Sequence, residues 1–174
     1  TDVEGQIDML LKVVPSAKTV GIFYNSSEVN SEVQADQAKQ ALEAKGVKVE
    51  VATVTSTNDV QQTMTSLAAK VDAIYLPTDN TVASTASTIG EILQEAKVPA
   101  MGSDAAVIDA TLFTYGVDYH AIGVQAGELA VKILKGDKPA DLPVEKPNTA
   151  AVTVNEEMAT ALGFDAETIK ALEK

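Results

Sequence analysis

Three short groups of hydroxyl, amide and carboxylate side chains each follow an apolar run of this sequence. Side chains of these types either cap the N-terminus of a helix or hydrogen-bond a ligand. A cap uses only one or two of them, which leaves most of the first group unexplained. We therefore predict a binding site built from Asn25, Ser26, Ser27, Glu28, Ser31, Thr78, Asp79, Asn80, Ser103 and Asp104.

The same groups also offer helix caps. Asn30 or Ser31 would cap the helix that follows the first group, and Asp79 or Asn80 would cap the next helix. Each group taken alone is therefore a common cap. Three such groups at one edge of a sheet indicate a site more strongly than any one of them.

Binding without catalysis is the chemistry that the remaining residues favour. The sequence has no GxSxG nucleophile elbow, no phosphate-binding P-loop and no GxGxxG dinucleotide motif. Its one histidine, His120, is the sole base available to a serine–histidine–aspartate relay, and we interpret it as a cap or a surface residue. With no cysteine, disulfides and cysteine zinc sites are excluded. We predict no enzyme activity, no metal and no cofactor.

The charge of the chain excludes another class of partner. Its formal net charge is −12, and its 13 basic residues are all lysines. Nucleic acids bind to basic faces, so we predict no nucleic-acid partner. An anionic group would have to be bound by backbone N–H groups at helix N-termini, because no arginine is present to bind it.

Strand and helix patterns alternate along the chain. Apolar runs predict strands at 19–24, 47–54, 72–78, 98–103, 112–119 and 149–155, and helical spacing predicts helices at 4–14, 31–45, 57–70, 80–97, 120–135 and 156–164. An irregular, proline-rich connection is expected at 137–147. The alternation predicts one α/β domain over 1–174, a three-layer sandwich with a mostly parallel sheet. Ligands bind at the carboxyl ends of such strands, which selects the loops 25–31, 78–80 and 102–105.

Two enzyme or signalling alternatives share this fold but lack their key residues. A receiver domain would use Asp79 at the end of its third strand, but it also needs an acidic pair where Asn25 and Ser26 stand. A flavodoxin needs a glycine in its first loop for close backbone approach, and aromatic residues to stack on the flavin. Here that loop has no glycine and aromatic content is 4%.

Four stretches resemble one known family. They are TVGIFYNSSEVNSEVQ, VDAIYLPTDNTVAS, VPAMGSD and FTYGVDYHAIGVQAGELAVKILKGDKPADLPVE. The chain resembles the substrate-binding proteins of bacterial ABC importers, in the branch associated with tryptophan and tyrosine uptake. That resemblance implies two flavodoxin-like lobes, the type I periplasmic-binding-protein fold, with this chain as the carboxyl-terminal portion. The family's amino-terminal lobe, signal peptide and lipidated cysteine have no counterpart in the sequence.

The resemblance also implies a ligand and partners. An amino acid would receive donors for its carboxylate from Ser27, Ser31 and the start of the following helix, and acceptors for its ammonium from Asp79, Asn80 or Asp104. Glu28 would serve as a further acceptor or as a first-turn charge. Tyr24 and Tyr119 would contact the ligand side chain or remain half-buried core residues. The full-length protein would be extracytoplasmic, anchored or periplasmic, and would deliver its ligand to a membrane permease.

The segment 112–136 is expected to pack on the missing amino-terminal lobe. Without that lobe its apolar surface would drive self-association. Two further functions stay open on this evidence, a ligand-sensing domain of a regulator and a flavodoxin-like enzyme.

Overall fold

Six strands form a single sheet in the computed structural model, which describes residues 2–145 and 150–173. The strands are β1 (Thr19–Asn25), β2 (Lys48–Val54), β3 (Ala73–Leu76), β4 (Ala100–Gly102), β5 (Phe113–Val117) and β6 (Ala150–Val154). Their order is β2-β1-β3-β4-β5-β6. All neighbours are parallel except β5 and β6, which are antiparallel.

Eight α-helices connect and cover the strands within the described residues. They are α1 (Val3–Val13), α2 (Val29–Ala44), α3 (Val60–Ala68), α4 (Asn80–Ser84), α5 (Ala86–Ala96), α6 (Tyr119–Leu134), α7 (Glu156–Leu162) and α8 (Ala166–Lys170). Short 3-10 helices occur at Thr57–Asp59, Ala105–Ala110, Pro139–Asp141 and Ala171–Glu173. None of the helices in this part of the chain is long and apolar enough to cross a membrane.

The sheet is buried on both faces. Side chains of α1, α2, α7 and α8 pack on one face, around Ile22 and Tyr75. Those of α3, α4 and α5 pack on the other, around Phe23 and Ile74. Because successive strand residues point to opposite faces, β1 and β3 are almost wholly apolar, as expected for a covered parallel sheet. The predicted three-layer α/β sandwich is confirmed.

The helix predicted over 80–97 is two helices instead of one. Thr85 interrupts it, because its hydroxyl donates to the backbone carbonyl of Thr81 at 2.8 Å and competes with the helical pattern. The sequence patterns also missed α8 and the 3-10 helix at Ala105–Ala110. The first residue of the strand predicted at 149–155 lies outside the described residues, as do the last two of the connection 137–147.

The segment 112–136 divides into two parts of different character. Its strand, β5, lies inside the sheet between β4 and β6, with Phe113 fully buried. Its helix, α6, has no buried residue. Several of its large apolar side chains are exposed, namely Val124, Val131, Ile133 and Leu134. The expectation that this segment packs on another lobe therefore concerns α6.

Two glycine substitutions test how tightly the α5 face is packed. A Cβ on Gly90 would lie 2.1 Å from the carbonyl oxygen of Asp109, so Gly90→Ala should lower the free energy of unfolding by about 1 to 3 kcal/mol. The matched control is Gly127→Ala on α6, where a Cβ meets nothing within 4 Å. It should raise the stability by up to about 1 kcal/mol through helix propensity. Urea unfolding of both variants measures the difference, and equal effects would contradict the packing described.

Candidate ligand-binding site

The three polar groups lie side by side at the carboxyl edge of β1, β3 and β4. The first polar loop (25–31) joins β1 to α2, the second (78–80) joins β3 to α4, and the third (102–105) follows β4. The sheet order brings these strands together, since β1, β3 and β4 are consecutive neighbours. The ends of neighbouring parallel strands fall at one edge, so the loops can hydrogen-bond one another directly.

Glu28 binds the first polar loop to the second. Its carboxylate accepts the backbone N–H of Asn80 at 3.1 Å, the backbone N–H of Thr81 at 3.2 Å and the Asn80 side-chain amide at 2.9 Å. Burial raises the pKa of Glu28, but the hydrogen bonds from Asn80 and Thr81 together outweigh burial and hold it below its ordinary value. Glu28 is therefore a carboxylate that stabilises the start of α4.

Asp79 makes the reciprocal connection from the second polar loop to the first. One carboxylate oxygen caps α4 by accepting the N–H of Val82 at 2.9 Å, and the other accepts the N–H of Asn25 at 2.8 Å. The Asn25 side chain donates in turn to the Thr81 hydroxyl at 2.8 Å and accepts the N–H of Ser27 at 2.8 Å. Asp79 is 3% exposed and Asn25 is 8% exposed, so the hydrogen bond between them is shielded from water.

The expected caps at Asn30 and Ser31 are wrong. Glu28 is the N-cap residue of α2 by backbone position, so both residues lie within the first turn of the helix. Their side chains point across the edge instead, and each donates to the backbone carbonyl of Thr78 at 2.9 Å. The N–H of Thr78 donates to the Gln34 side chain at 3.1 Å. Polar side chains of α2 thus hold the backbone of the second loop on both sides.

The third polar loop joins this arrangement through two contacts. The hydroxyls of Ser103 and Thr78 lie 2.9 Å apart. Asp104 caps the following 3-10 helix by accepting the N–H of Ala106 at 2.8 Å, and its other oxygen accepts the hydroxyl of Tyr119 at the start of α6. The hydrogen bond to Asp104, followed by burial, raises the pKa of Tyr119 to about 12. The phenol therefore stays protonated at neutral pH and continues to donate.

A cavity of about 290 Å³ opens between the second and third loops. Four of the ten predicted site residues line it, together with the ring of Tyr119 and an apolar wall formed by Ala83, Ala106 and Val107. The lining residues are Thr78, Asp79, Asn80, Ala83, Asp104, Ala106, Val107 and Tyr119. The volume is near the lower end of small-molecule sites. A concave surface with apolar walls and converging polar groups can bind a small polar ligand that carries an apolar part.

The other predicted residues divide into two sets. Asn25, Glu28, Ser31 and Ser103 hold the loops together through the hydrogen bonds described above. Ser26 and Ser27 are exposed at the rim beside the start of α2. That all ten bind a ligand stays a prediction.

Sequence reasoning missed two glutamines beneath the site, of which Gln6 is buried and Gln34 is partly buried. Gln34 contacts the second loop from α2, and Gln6 of α1 is 2% exposed and contacts the third. A signal for Gln6 was present, because it lies on the apolar stripe that Val3, Ile7 and Leu10 form at helical spacing. A polar residue on such a stripe has to find buried hydrogen-bond partners.

The family model described as "ABC transporter substrate binding protein" matches residues 1–170. The chain belongs to this family. The resemblance noted in the sequence is thereby confirmed, and the family is one of binding proteins rather than enzymes.

Three relatives show how much of this chain, and how much of each relative, is matched. A protein named "Tyrosine-binding protein" from Clostridioides difficile is 31% identical over 161 residues, which are 92% of this chain and 47% of the relative. A ligand-free, open structure of a substrate-binding protein with adhesive properties from Clostridium difficile superposes with a TM-score of 0.83 at 37% identity. It covers 95% of this chain and 56% of the other.

The third relative is the structure of an ABC domain in complex with L-Trp from Streptococcus pneumonia. Its TM-score is 0.83 at 36% identity, and the match covers 98% of this chain and 58% of the other. The fold is that of one lobe of a type I periplasmic binding protein. The chain spans about half the length of each of these relatives.

Removal of the Glu28 carboxylate tests the connection between the first two loops. Glu28→Ala should lower the free energy of unfolding by about 1 to 2 kcal/mol, because a charged acceptor of several hydrogen bonds is lost from a partly exposed position. The folded-state pKa of Glu28 is lowered, so this loss is full above its unfolded pKa and shrinks as pH falls through the folded pKa. Denaturant unfolding at several pH values measures it.

Glu32→Ala is the matched control, because Glu32 lies exposed in the first turn of the same helix. It should change the stability by less than about 0.5 kcal/mol, as expected for most surface positions. Equal losses in the two variants would contradict the role assigned to Glu28.

Proposed function

We propose that this chain is one lobe of a two-lobed amino-acid-binding protein of an ABC importer, and that it binds an aromatic amino acid in the cleft between the lobes. The observation that carries the proposal is the cavity beside three cross-linked polar loops, at the sheet edge where α/β proteins bind ligands. Two relatives support the ligand class, the one named as tyrosine-binding and the one crystallised with L-Trp.

The ligand's ammonium is assigned to Asp104 and the side-chain oxygen of Asn80. Both residues line the cavity. Asp79 lines it too, but its carboxylate and that of Glu28 hold the first two loops together. Asp104 accepts one bond on each oxygen, and a carboxylate has room for about four. It can therefore accept a further bond from an ammonium while it keeps Tyr119.

The ligand's carboxylate is assigned to the start of α2. This helix has 16 residues, and the N–H groups of Val29 and Asn30 at its N-terminus have no acceptor among the described residues. Unpaired N–H groups and the helix dipole favour a negative group there. The exposed hydroxyl of Ser27 lies beside them and can donate as well.

The aromatic part of the ligand is assigned to Tyr119 and the apolar wall. The Tyr119 side chain is 60% exposed although its hydroxyl is held by Asp104, so a fixed ring surface faces the opening. Ala83, Ala106 and Val107 line the same cavity. An aromatic side chain gains both apolar burial and ring–ring contact in such a place.

The remaining half of the protein is assigned to a second lobe, with α6 as the element that packs against it. A 16-residue helix with no buried residue and with Val131 and Leu134 exposed would gain burial from such packing. We further propose that the full-length protein is extracytoplasmic, anchored or periplasmic, and that it delivers its ligand to a membrane permease.

A titration with L-tryptophan and L-tyrosine tests the ligand assignment. Amide NMR spectra of the isotope-labelled chain should show saturable shifts clustered in the three polar loops. The dissociation constant should lie in the millimolar range, because this lobe supplies one of the two walls of the proposed cleft. Asp104→Asn should weaken the binding about tenfold or more, because it removes a charged acceptor.

The control for that titration is Asp109→Asn, which changes an exposed carboxylate on the same 3-10 helix and should leave the affinity unchanged. D-tryptophan serves as the ligand control. Absence of saturable shifts with either L-amino acid, or equal losses in both variants, would contradict the proposed site.

The role of α6 is tested by the association state of the chain. Sedimentation velocity should detect self-association that falls when Val131→Glu and Leu134→Glu are combined. Val144→Glu is the control, because Val144 is 97% exposed and lies outside α6. A chain that stays monomeric at high concentration would contradict the proposed self-association. If Val144→Glu reduced self-association as much as the α6 variant, α6 would not be its cause.

A further inference from the structure

A buried side-chain amide lies beneath the ligand site and makes hydrogen bonds with β3, with β5 and with the residue that follows β4. The Nε2 of Gln6 donates to the backbone carbonyl of Tyr115 at 2.7 Å and to that of Ser103 at 3.4 Å. Its Oε1 accepts the hydroxyl of Tyr75 at 2.7 Å. One side chain from α1 thus contacts β3, the residue after β4 and the middle of β5.

Only an amide satisfies these partners at neutral pH. Two carbonyls require donors and the Tyr75 hydroxyl requires an acceptor, and glutamine supplies both kinds. Burial raises the pKa of Tyr75 far above its ordinary value, although a hydrogen bond with Ser103 lowers it, so this phenol remains a donor. An ionised glutamate at position 6 would have no donor for either carbonyl, and methionine would likewise donate to neither of them.

The two carbonyls that Gln6 binds belong to the backbone that carries the site. Ser103 directly precedes Asp104, and Tyr115 lies in β5, which leads to Tyr119 at the start of α6. The ends of β4 and β5 are also in backbone contact here, because a Cβ on Gly116 would lie 2.4 Å from the Ser103 carbonyl oxygen. Any displacement of the Ser103 or Tyr115 carbonyl therefore moves the Asp104–Tyr119 pair.

We propose that Gln6 is a positioning residue of the ligand site, and that its amide fixes where Asp104 and Tyr119 stand in the cavity. The inference rests on the proposed function, since it names how that site is held. Gln6 does not line the cavity and acts through the backbone of Ser103 and Tyr115. The same hydrogen-bond chain continues through the hydroxyls of Ser103 and Thr78 to α2, so both walls of the cavity share one support.

Gln6→Glu replaces the supporting amide with a carboxyl group that can ionise. In its neutral form the new carboxyl can donate to the Tyr115 carbonyl and accept from Tyr75, whereas its ionised form repels both carbonyls. Burial raises the pKa of such a carboxyl above about 4.3, so it should ionise between about pH 5 and pH 8. Tyr75 is the titratable group that contacts the Gln6 amide within the described residues, and it stays protonated over this range.

We expect the affinity of Gln6→Glu for L-tryptophan to be close to that of the wild type at about pH 5 and to be about five- to tenfold weaker at about pH 8. The control is Gln40→Glu, an exposed position on α2. The measured quantity is the difference between the two variants, because pH effects that both variants share then cancel. An equal pH dependence in both would overturn the proposal.

The NMR signals of Asp104 and Tyr119 separate this inference from the proposed function. In Gln6→Glu they should move with pH at one common midpoint that is missing from Gln40→Glu, whether or not a ligand binds. If they move and no amino acid binds, the proposed function fails while Gln6 still positions the pair. If they do not move in a folded Gln6→Glu, the positioning role is overturned.

Gln6→Met keeps the inference testable if Gln6→Glu does not fold. Methionine is similar in length and has no donor, so Gln6→Met should weaken L-tryptophan binding about five- to tenfold at both pH values. A folded Gln6→Met with wild-type affinity and unchanged Asp104 and Tyr119 signals would overturn the proposal.

Discussion

The site depends on reciprocal hydrogen bonds made by the carboxylates of Glu28 and Asp79. Each acid is in one polar loop and accepts backbone N–H groups of the other, so neither loop can move alone. These hydrogen bonds also stabilise α4, whose five residues are too few for a stable helix without tertiary contacts. Both carboxylates would otherwise be natural ammonium acceptors. Because they hold the loops together instead, we assign the ammonium of the proposed ligand to Asp104.

Hydrogen bonds beneath the edge extend this constraint to the whole cavity. Side chains of α2 hold the Thr78 backbone, the Thr78 hydroxyl meets Ser103, and Gln6 holds the carbonyls behind Asp104 and Tyr119. Among the described residues no buried side-chain oxygen or nitrogen lacks a partner. A rigid and satisfied edge leaves its free groups, the first N–H groups of α2 and the Tyr119 ring, at fixed positions for a ligand.

The sheet and the place of the site were predictable because both follow from local patterns. Apolar runs of strand length, separated by helical spacing, lead to a parallel sheet, and the carboxyl-edge rule then brings Asn25, Asp79 and Asp104 together. The capping role of Asp79 also followed from sequence. The roles within the site did not, because they depend on partners about 50 residues away. From the sequence, Glu28 is an acceptor or a first-turn charge, and Ser31 is a cap or a ligand donor. Their contacts with Asn80 and Thr78 are long-range, so sequence patterns do not reveal them.

The central claim is that an aromatic amino acid binds against Tyr119 and the apolar wall of the cavity. Isotope-filtered NOEs between L-tryptophan ring protons and the labelled chain measure this contact directly. We expect NOEs to the methyl groups of Ala83, Ala106 and Val107, which line the cavity. Saturable binding with ring NOEs only to side chains elsewhere, such as those of α6, would contradict it.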